Sequence, residues 1–135
     1  MKIVAARPHL NFKVVLRCGS RNSAGGLLYF KTGRDALIYG LRAVNVLPGS
    51  SVLIPAYICK SITSVLTESG YNLIFVDVDQ QLDISLEQVK ELTIVNNIKA
   101  ILVVNYFGFS SNVNEVSEFC RVRNIRIIED CAHSF

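Results

Sequence analysis

Three observations predict an α/β fold for this chain, with a mostly parallel sheet between helices in a three-layer α/β/α arrangement. Short apolar runs at residues 51–54, 73–76, 100–104 and 125–128 alternate with segments of helical period. The runs are almost continuously apolar, as strands are when helices cover both faces of a parallel sheet. They are followed by Pro55, Asp77, Asn105 and Glu129-Asp130, at the carboxyl ends where open α/β sheets bind ligands.

Residues 1–31 read as an N-terminal arm. Residues 14–16 and 27–30 are short extended candidates, and 18–26 is a loop by its Gly, Ser and Asn content. From Thr32 to the end the pattern is that of a domain. Residues 33–46 predict a helix, because Leu37, Leu41 and Val44 recur at i, i+4 and i+7 before Pro48-Gly49 stops it. The strand at 51–54 closes at Pro55. Residues 58–69 predict a second helix, with Ile58, Ile62, Val65 and Leu66 inward and Gly70 at the C′ position. After the strand at 73–76, Ser85 ahead of Leu86-Glu87-Gln88 has capping-box spacing and opens a third helix to about residue 92. The strand at 100–104, a helix at 112–124 and a strand at 125–128 complete the pattern.

The chain has 135 residues, 50% of them hydrophobic and 19% charged, which suits a packed domain and excludes a disordered tail. Mean hydropathy is +0.36, yet residues 100–104 are the longest clean apolar stretch. A membrane-spanning helix needs about 20 such residues. Arg7 and His9 interrupt any leader-like apolar core, so a cytoplasmic protein without membrane contact is expected. The net charge of +3 is uneven: residues 1–42 hold eight Lys/Arg and one acid, Asp35. That asymmetry suits either an anion-facing segment or a solvated basic arm. The basic residues are neither dense nor interleaved with aromatics, which argues against nucleic acid. Cys18, Cys59, Cys120 and Cys131 show no C-x-x-C spacing and read as reduced thiols. Cys131-x-His133 lacks a second ligand pair, so no metal site is expected.

Four places carry groups able to do chemistry. Thr32-Gly33-Arg34-Asp35 opens the first helix, where free amides and the dipole favour a phosphate; an ordinary N-terminus capped by Thr32 is the other reading. Tyr57 and Cys59 follow the strand at 51–54 and either touch a ligand ring or form a strand-to-helix turn. A nucleophilic Cys59 lacks a His or Asn near it in sequence. Asp77 and Asn105 end strands, where such residues commonly cap the next turn. Asp130 and His133 are the sharpest pair. A desolvated Asp is costly unless it meets a cation or several donors, and a pyridinium nitrogen held protonated, as in pyridoxal phosphate enzymes, is such a cation. Asp130 capping the next turn is the alternative.

Taken in order, these segments resemble the DegT/DnrJ/StrS-type sugar aminotransferases. The resemblance is carried by Gly33-Arg34-Asp35-Ala36-Leu37, by residues 46–57, by Ser69-Gly70 with Phe75-Val76-Asp77-Val78-Asp79, by Val103-Val104-Asn105-Tyr106-Phe107-Gly108, and by Glu129-Asp130-Cys131-Ala132-His133-Ser134-Phe135. Asn105 stands where the family usually has His, and Cys59 where it has a ring-stacking aromatic, a role Tyr57 would then take.

The resemblance implies the N-terminal part of the large domain of a fold-type-I pyridoxal phosphate enzyme, usually a homodimer. Such enzymes move an amino group from glutamate to a keto sugar on a nucleotide. It also implies that the backbone at Gly33, Arg34 and Asp35 holds the cofactor phosphate, that Asp130 pairs with the pyridine nitrogen, and that His133 lies beside the ring's 3-hydroxyl. The family's Schiff-base lysine lies beyond the Glu129–His133 motif, and no lysine of this chain occupies an equivalent position. The expectation is therefore a partial cofactor domain at 32–135, inactive in transamination by itself and without a catalytic residue of its own. Two alternatives stay open: a dehydratase of the same family, in which His replaces the lysine, and a non-catalytic module binding a sugar phosphate or a partner.

Overall fold

The computed structural model describes residues 2–4, 15–17, 27–108 and 112–133. The predicted loop at 18–26 lies outside these residues, as do Ser134 and Phe135 of the closing motif. Strands β1 (Lys2–Val4), β2 (Val15–Arg17) and β3 (Leu27–Leu28) precede helix α1 (Gly33–Ala43). There follow β4 (Ser51–Pro55), α2 (Lys60–Glu68), β5 (Asn72–Val76), α3 (Leu86–Val95) and β6 (Ile98–Val104). A 3-10 turn at Tyr106–Gly108 leads to α4 (Val113–Arg123) and β7 (Arg126–Asp130).

These strands form one sheet in the order β3-β2-β1-β7-β6-β4-β5. Strands β5, β4, β6, β7 and β1 run parallel, while β2 and β3 pair antiparallel at one side. The mostly parallel α/β class is as the sequence predicts. Strand β1 has no sequence signal, because three residues are too short to display a period.

The order also contains a reversal. From β4 the chain passes through α2 to β5 on one side, then returns through α3 to β6 on the other. Where successive crossovers diverge in this way, a crevice opens at the carboxyl ends of the two central strands. Here those strands are β4 and β6.

Two apolar layers hold the helices to the sheet. Ala36, Leu37 and Leu41 of α1 and Leu66 of α2 pack with Val52, Ile54, Leu102, Val104 and Ile128 on one face. Val89 of α3 and Val116 and Cys120 of α4 pack with Leu53, Ile101 and Val103 on the other. Adjacent β6 residues thus point to opposite layers, and both Ile101 and Leu102 are sealed from water, at 0% and 1% exposure. This explains why the strand is apolar without alternation.

The helix ends follow their local chemistry. Thr32 caps α1, its Oγ accepting from the Asp35 amide at 3.1 Å. Val44 closes that helix, earlier than predicted, because Asn45 turns left-handed at φ 62°. Gly70 adopts φ 84° just after the Ser69 C-cap of α2, as the sequence predicts. Ser85 caps α3, but Gln88 does not complete the capping box. Its amide instead donates to Asp77 Oδ2 at 2.8 Å and accepts from the Asp77 amide at 3.0 Å. Asp77 is thereby a tie between the end of β5 and α3. Strand β7 reaches Asp130, beyond the predicted limit, so Glu129 and Asp130 belong to the strand itself.

Candidate functional site

A cavity of about 320 Å³ opens at the reversal between β4 and β6. Its size is within the range of small-molecule sites. Tyr57, Ile58 and Cys59 line it from the segment after β4, and Ile62 from the first turns of α2. Val104 and Tyr106 contribute from the end of β6. Asp130, Ala132 and His133 close it from the end of β7. Four of the predicted site residues, Tyr57, Cys59, Asp130 and His133, are therefore brought to one concavity. The walls mix apolar side chains with a carboxyl, an imidazole, two phenols and a thiol.

Asp130 sits here because β7 runs two residues further than its apolar core, pairing Asp130 with Val104 of β6. Its Oδ1 accepts from the Ala132 amide at 2.9 Å. Burial pushes its carboxyl above the ordinary carboxylate range, against the smaller opposing effects of that amide and of His133. A cationic donor placed in the cavity would relieve this cost.

The aromatic residues are coupled. The Tyr106 hydroxyl donates to the Tyr57 carbonyl, and the two rings lie 5.5 Å apart. Burial, and then the neighbouring Tyr57 and Asp130, push the Tyr106 phenol up to about 12. At neutral pH it is therefore a donor, holding the turn after β4 to the turn after β6. The His133 ring stacks on Phe107 at 5.8 Å and 24°. Neither Tyr106 nor Phe107 is among the residues the sequence singles out. In the sequence they stand only within the segment 103–108 that carries the family resemblance, with no role of their own.

Asn105 is 7% exposed and bonds inward. Its Nδ2 donates to Glu129 Oε1 at 2.7 Å and to Cys131 Sγ at 3.2 Å. Its backbone amide donates to the Asp130 carbonyl at 2.9 Å. Asn105 thus joins the ends of β6 and β7.

Gly33, Arg34 and Asp35 are not among the residues lining that cavity. Arg34 and Asp35 border a separate cleft of about 680 Å³, together with Lys60 and Ser61 at the start of α2. The Thr32 hydroxyl donates to Asp35 Oδ2 at 2.8 Å, so side chains of the helix already occupy part of its N-terminus. Arg34 is nonetheless close enough for its charge to favour a thiolate at Cys59, so the two concavities are neighbours.

Cys59 is the N-cap of α2, and its Sγ lies 3.1 Å from Ser61 Oγ. Hydrogen bonds from the Ser61 side chain and backbone, outweighing desolvation and aided by Arg34, lower its pKa. Burial instead pushes the Cys120 thiol up to about 11. A short pulse of iodoacetamide at pH 7 followed by peptide mapping should label Cys59 at least about tenfold ahead of Cys120. Equal labelling would show that Ser61 and Arg34 do not activate the thiol.

Comparison with known proteins identifies the family and the fold. The model of the DegT/DnrJ/EryC1/StrS aminotransferase family matches residues 27–135. The chain is similar to UDP-N-acetyl-3-dehydro-alpha-D-glucosamine 3-aminotransferase of Acidithiobacillus ferrooxidans, 29% identical over 76% of this chain and 28% of that protein. It is also similar to the structure of a DegT DnrJ EryC1 StrS aminotransferase from Brucella abortus, with TM-score 0.67 and 30% identity over 75% of this chain and 29% of that one. A third similarity is to GDP-4-keto-6-deoxymannose-3-dehydratase with a trapped PLP-glutamate geminal diamine, at TM-score 0.63 and 27% identity over 74% and 28% of the two chains. This chain thus spans about 28% of the length of these relatives.

Proposed function

This chain belongs to the DegT/DnrJ/EryC1/StrS aminotransferase family, and from that membership we propose that it forms the ring-binding part of a pyridoxal phosphate-dependent aminotransferase. Its substrate is a keto sugar nucleotide, its amino donor glutamate, its location the cytoplasm, and its working form a homodimer. Residues 32–135 act as the partial cofactor domain, preceded by the arm at 1–31. The observation that carries the reading is Asp130, a carboxyl whose burial disfavours its charged form at the rim of a ring-sized cavity.

The donor set fits the cofactor. Ile58, Ile62 and Val104 supply apolar wall for the faces of a pyridine ring. The Asp130 carboxylate would keep the ring nitrogen protonated, a cation that would offset the desolvation of the acid. His133 would stand beside the ring's 3-hydroxyl. When bound, pyridoxal phosphate supplies an electron sink for the substrate carbanion. Tyr106, kept protonated, fixes the Tyr57 segment as the opposite wall. The phosphate would be held at the start of α1 by the backbone amides of Gly33 and Arg34, beside the cleft that Lys60 and Ser61 also border; the Asp35 amide already donates to Thr32 Oγ.

No lysine is among the described residues lining the ring cavity. In this reading the chain binds the cofactor without a covalent anchor and performs no transamination by itself. A sugar dehydratase of the same family is the second reading, supported by the similarity to the GDP-4-keto-6-deoxymannose dehydratase. Both are tested by titrating the purified chain with pyridoxamine 5′-phosphate and pyridoxal 5′-phosphate, then adding glutamate and a keto sugar nucleotide. Saturable binding of both cofactor forms without amino-sugar formation is expected. Turnover by the chain alone would overturn the inactive assignment; failure to bind either form would overturn the cofactor reading.

A further inference from the structure

We propose that Phe107 is a positioning residue whose ring fixes the plane of the His133 imidazole at the cavity wall. Phe107 has φ 53° and ψ 21°, in the left-handed region that bulky residues seldom occupy. Its side chain is 63% exposed, so burial in the core does not offset that cost. Strained conformations of this kind persist where the surrounding structure over-determines them, and they cluster at functional sites.

The surroundings here are specific. The Phe107 ring is stacked on His133 at 5.8 Å and 24°. Tyr106 approaches the same imidazole at 6.4 Å and 57°, a tilted contact. Tyr106 is itself tied to the Tyr57 carbonyl, and the Asn105 amide ties the start of the turn to the Asp130 carbonyl. The turn after β6 is thereby locked to the end of β7. His133 is an exposed residue in a turn and would sample several rotamers without these rings. With them, its plane is set by two aromatic neighbours before any ligand enters. The left-handed backbone at position 107 is what aims the Phe ring back at His133.

The consequence for binding rests on the cofactor reading given above; the organisation of His133 does not. The 135-residue chain contains His9 and His133 alone, so imidazole proton resonances can be assigned with one His133→Gln variant. Phe107→Gly and Phe107→Asn both suit a left-handed backbone and keep the turn while removing the ring. In wild type the His133 ring protons should be shifted by the neighbouring aromatic faces. Both variants should move them toward the values of a free imidazole side chain, and Phe107→Tyr should retain them. Pyridoxamine 5′-phosphate affinity should fall about three- to tenfold in the Gly and Asn variants and recover with Tyr. Unchanged His133 resonances in both variants would overturn the proposal, whatever the affinity. No pyridoxamine 5′-phosphate binding by wild type would overturn the cofactor reading instead, and the resonances would still decide the role of Phe107.

Discussion

Replacing Asp130 with Asn is expected to weaken pyridoxamine 5′-phosphate binding by about 10- to 100-fold, the loss of a charge-assisted hydrogen bond to a ring cation. The same substitution should stabilise the cofactor-free chain at neutral pH. Folding raises the Asp130 pKa above its ordinary value of 3.8, mainly by desolvation. The contribution of its protonated form is fully present below that ordinary value and is lost as pH rises through the folded pKa. At pH 7 the half-buried wild-type acid therefore destabilises the fold relative to its fully protonated state, a cost that Asn, which does not titrate, lacks. Asn Oδ1 can still accept from the Ala132 amide. Urea midpoints should favour Asp130→Asn at pH 7, with the difference shrinking toward pH 3. A variant that lost stability at pH 7 would mean that Asp130 serves the fold, as a turn cap, rather than a ligand.

Leu102→Ala should cost about 3 kcal/mol, within the range for truncating a sealed core Leu. Leu102 lies on β6, between β4 and β7, and meets side chains of the α1–α2 layer. A cavity there loosens the strand that leads to Asn105 and Tyr106. A large share of a small domain's stability would be lost. Urea denaturation read by far-UV circular dichroism measures the effect. A cost below about 1 kcal/mol would show that the layer relaxes around the smaller side chain.

The fold was legible in the sequence where one physical signal dominated. Residues 100–104 could hardly be anything but a buried strand, because their apolar side chains serve both layers. Gly70 and Ser85 marked helix ends because backbone conformation and capping are local properties. The site was legible through Tyr57, Cys59, Asp130 and His133, since strand ends in this fold class converge on one edge. The reversal between β4 and β6 was not legible, because strand order depends on crossovers that no local pattern encodes. For the same reason Tyr106 and Phe107 were passed over: their importance arises from rings contributed by distant segments. Gln88 was misread because Asp77, eleven residues earlier, is a better partner than the neighbouring cap. Lys2–Val4 was invisible as a strand, since its partner is the far end of the chain.

That last pairing sets residue 2 against residue 129, whereas β6 meets β7 between residues 100 and 126. Closing the longer loop costs about 1.4 kcal/mol more in chain entropy. The edge beside Asp130 is thus the least local contact of the sheet, and high contact order slows folding. The strand that carries the acid closes its outer pairing at the greatest loop-entropy cost in the sheet. While that pairing is open, the edge of β7 is available to another molecule.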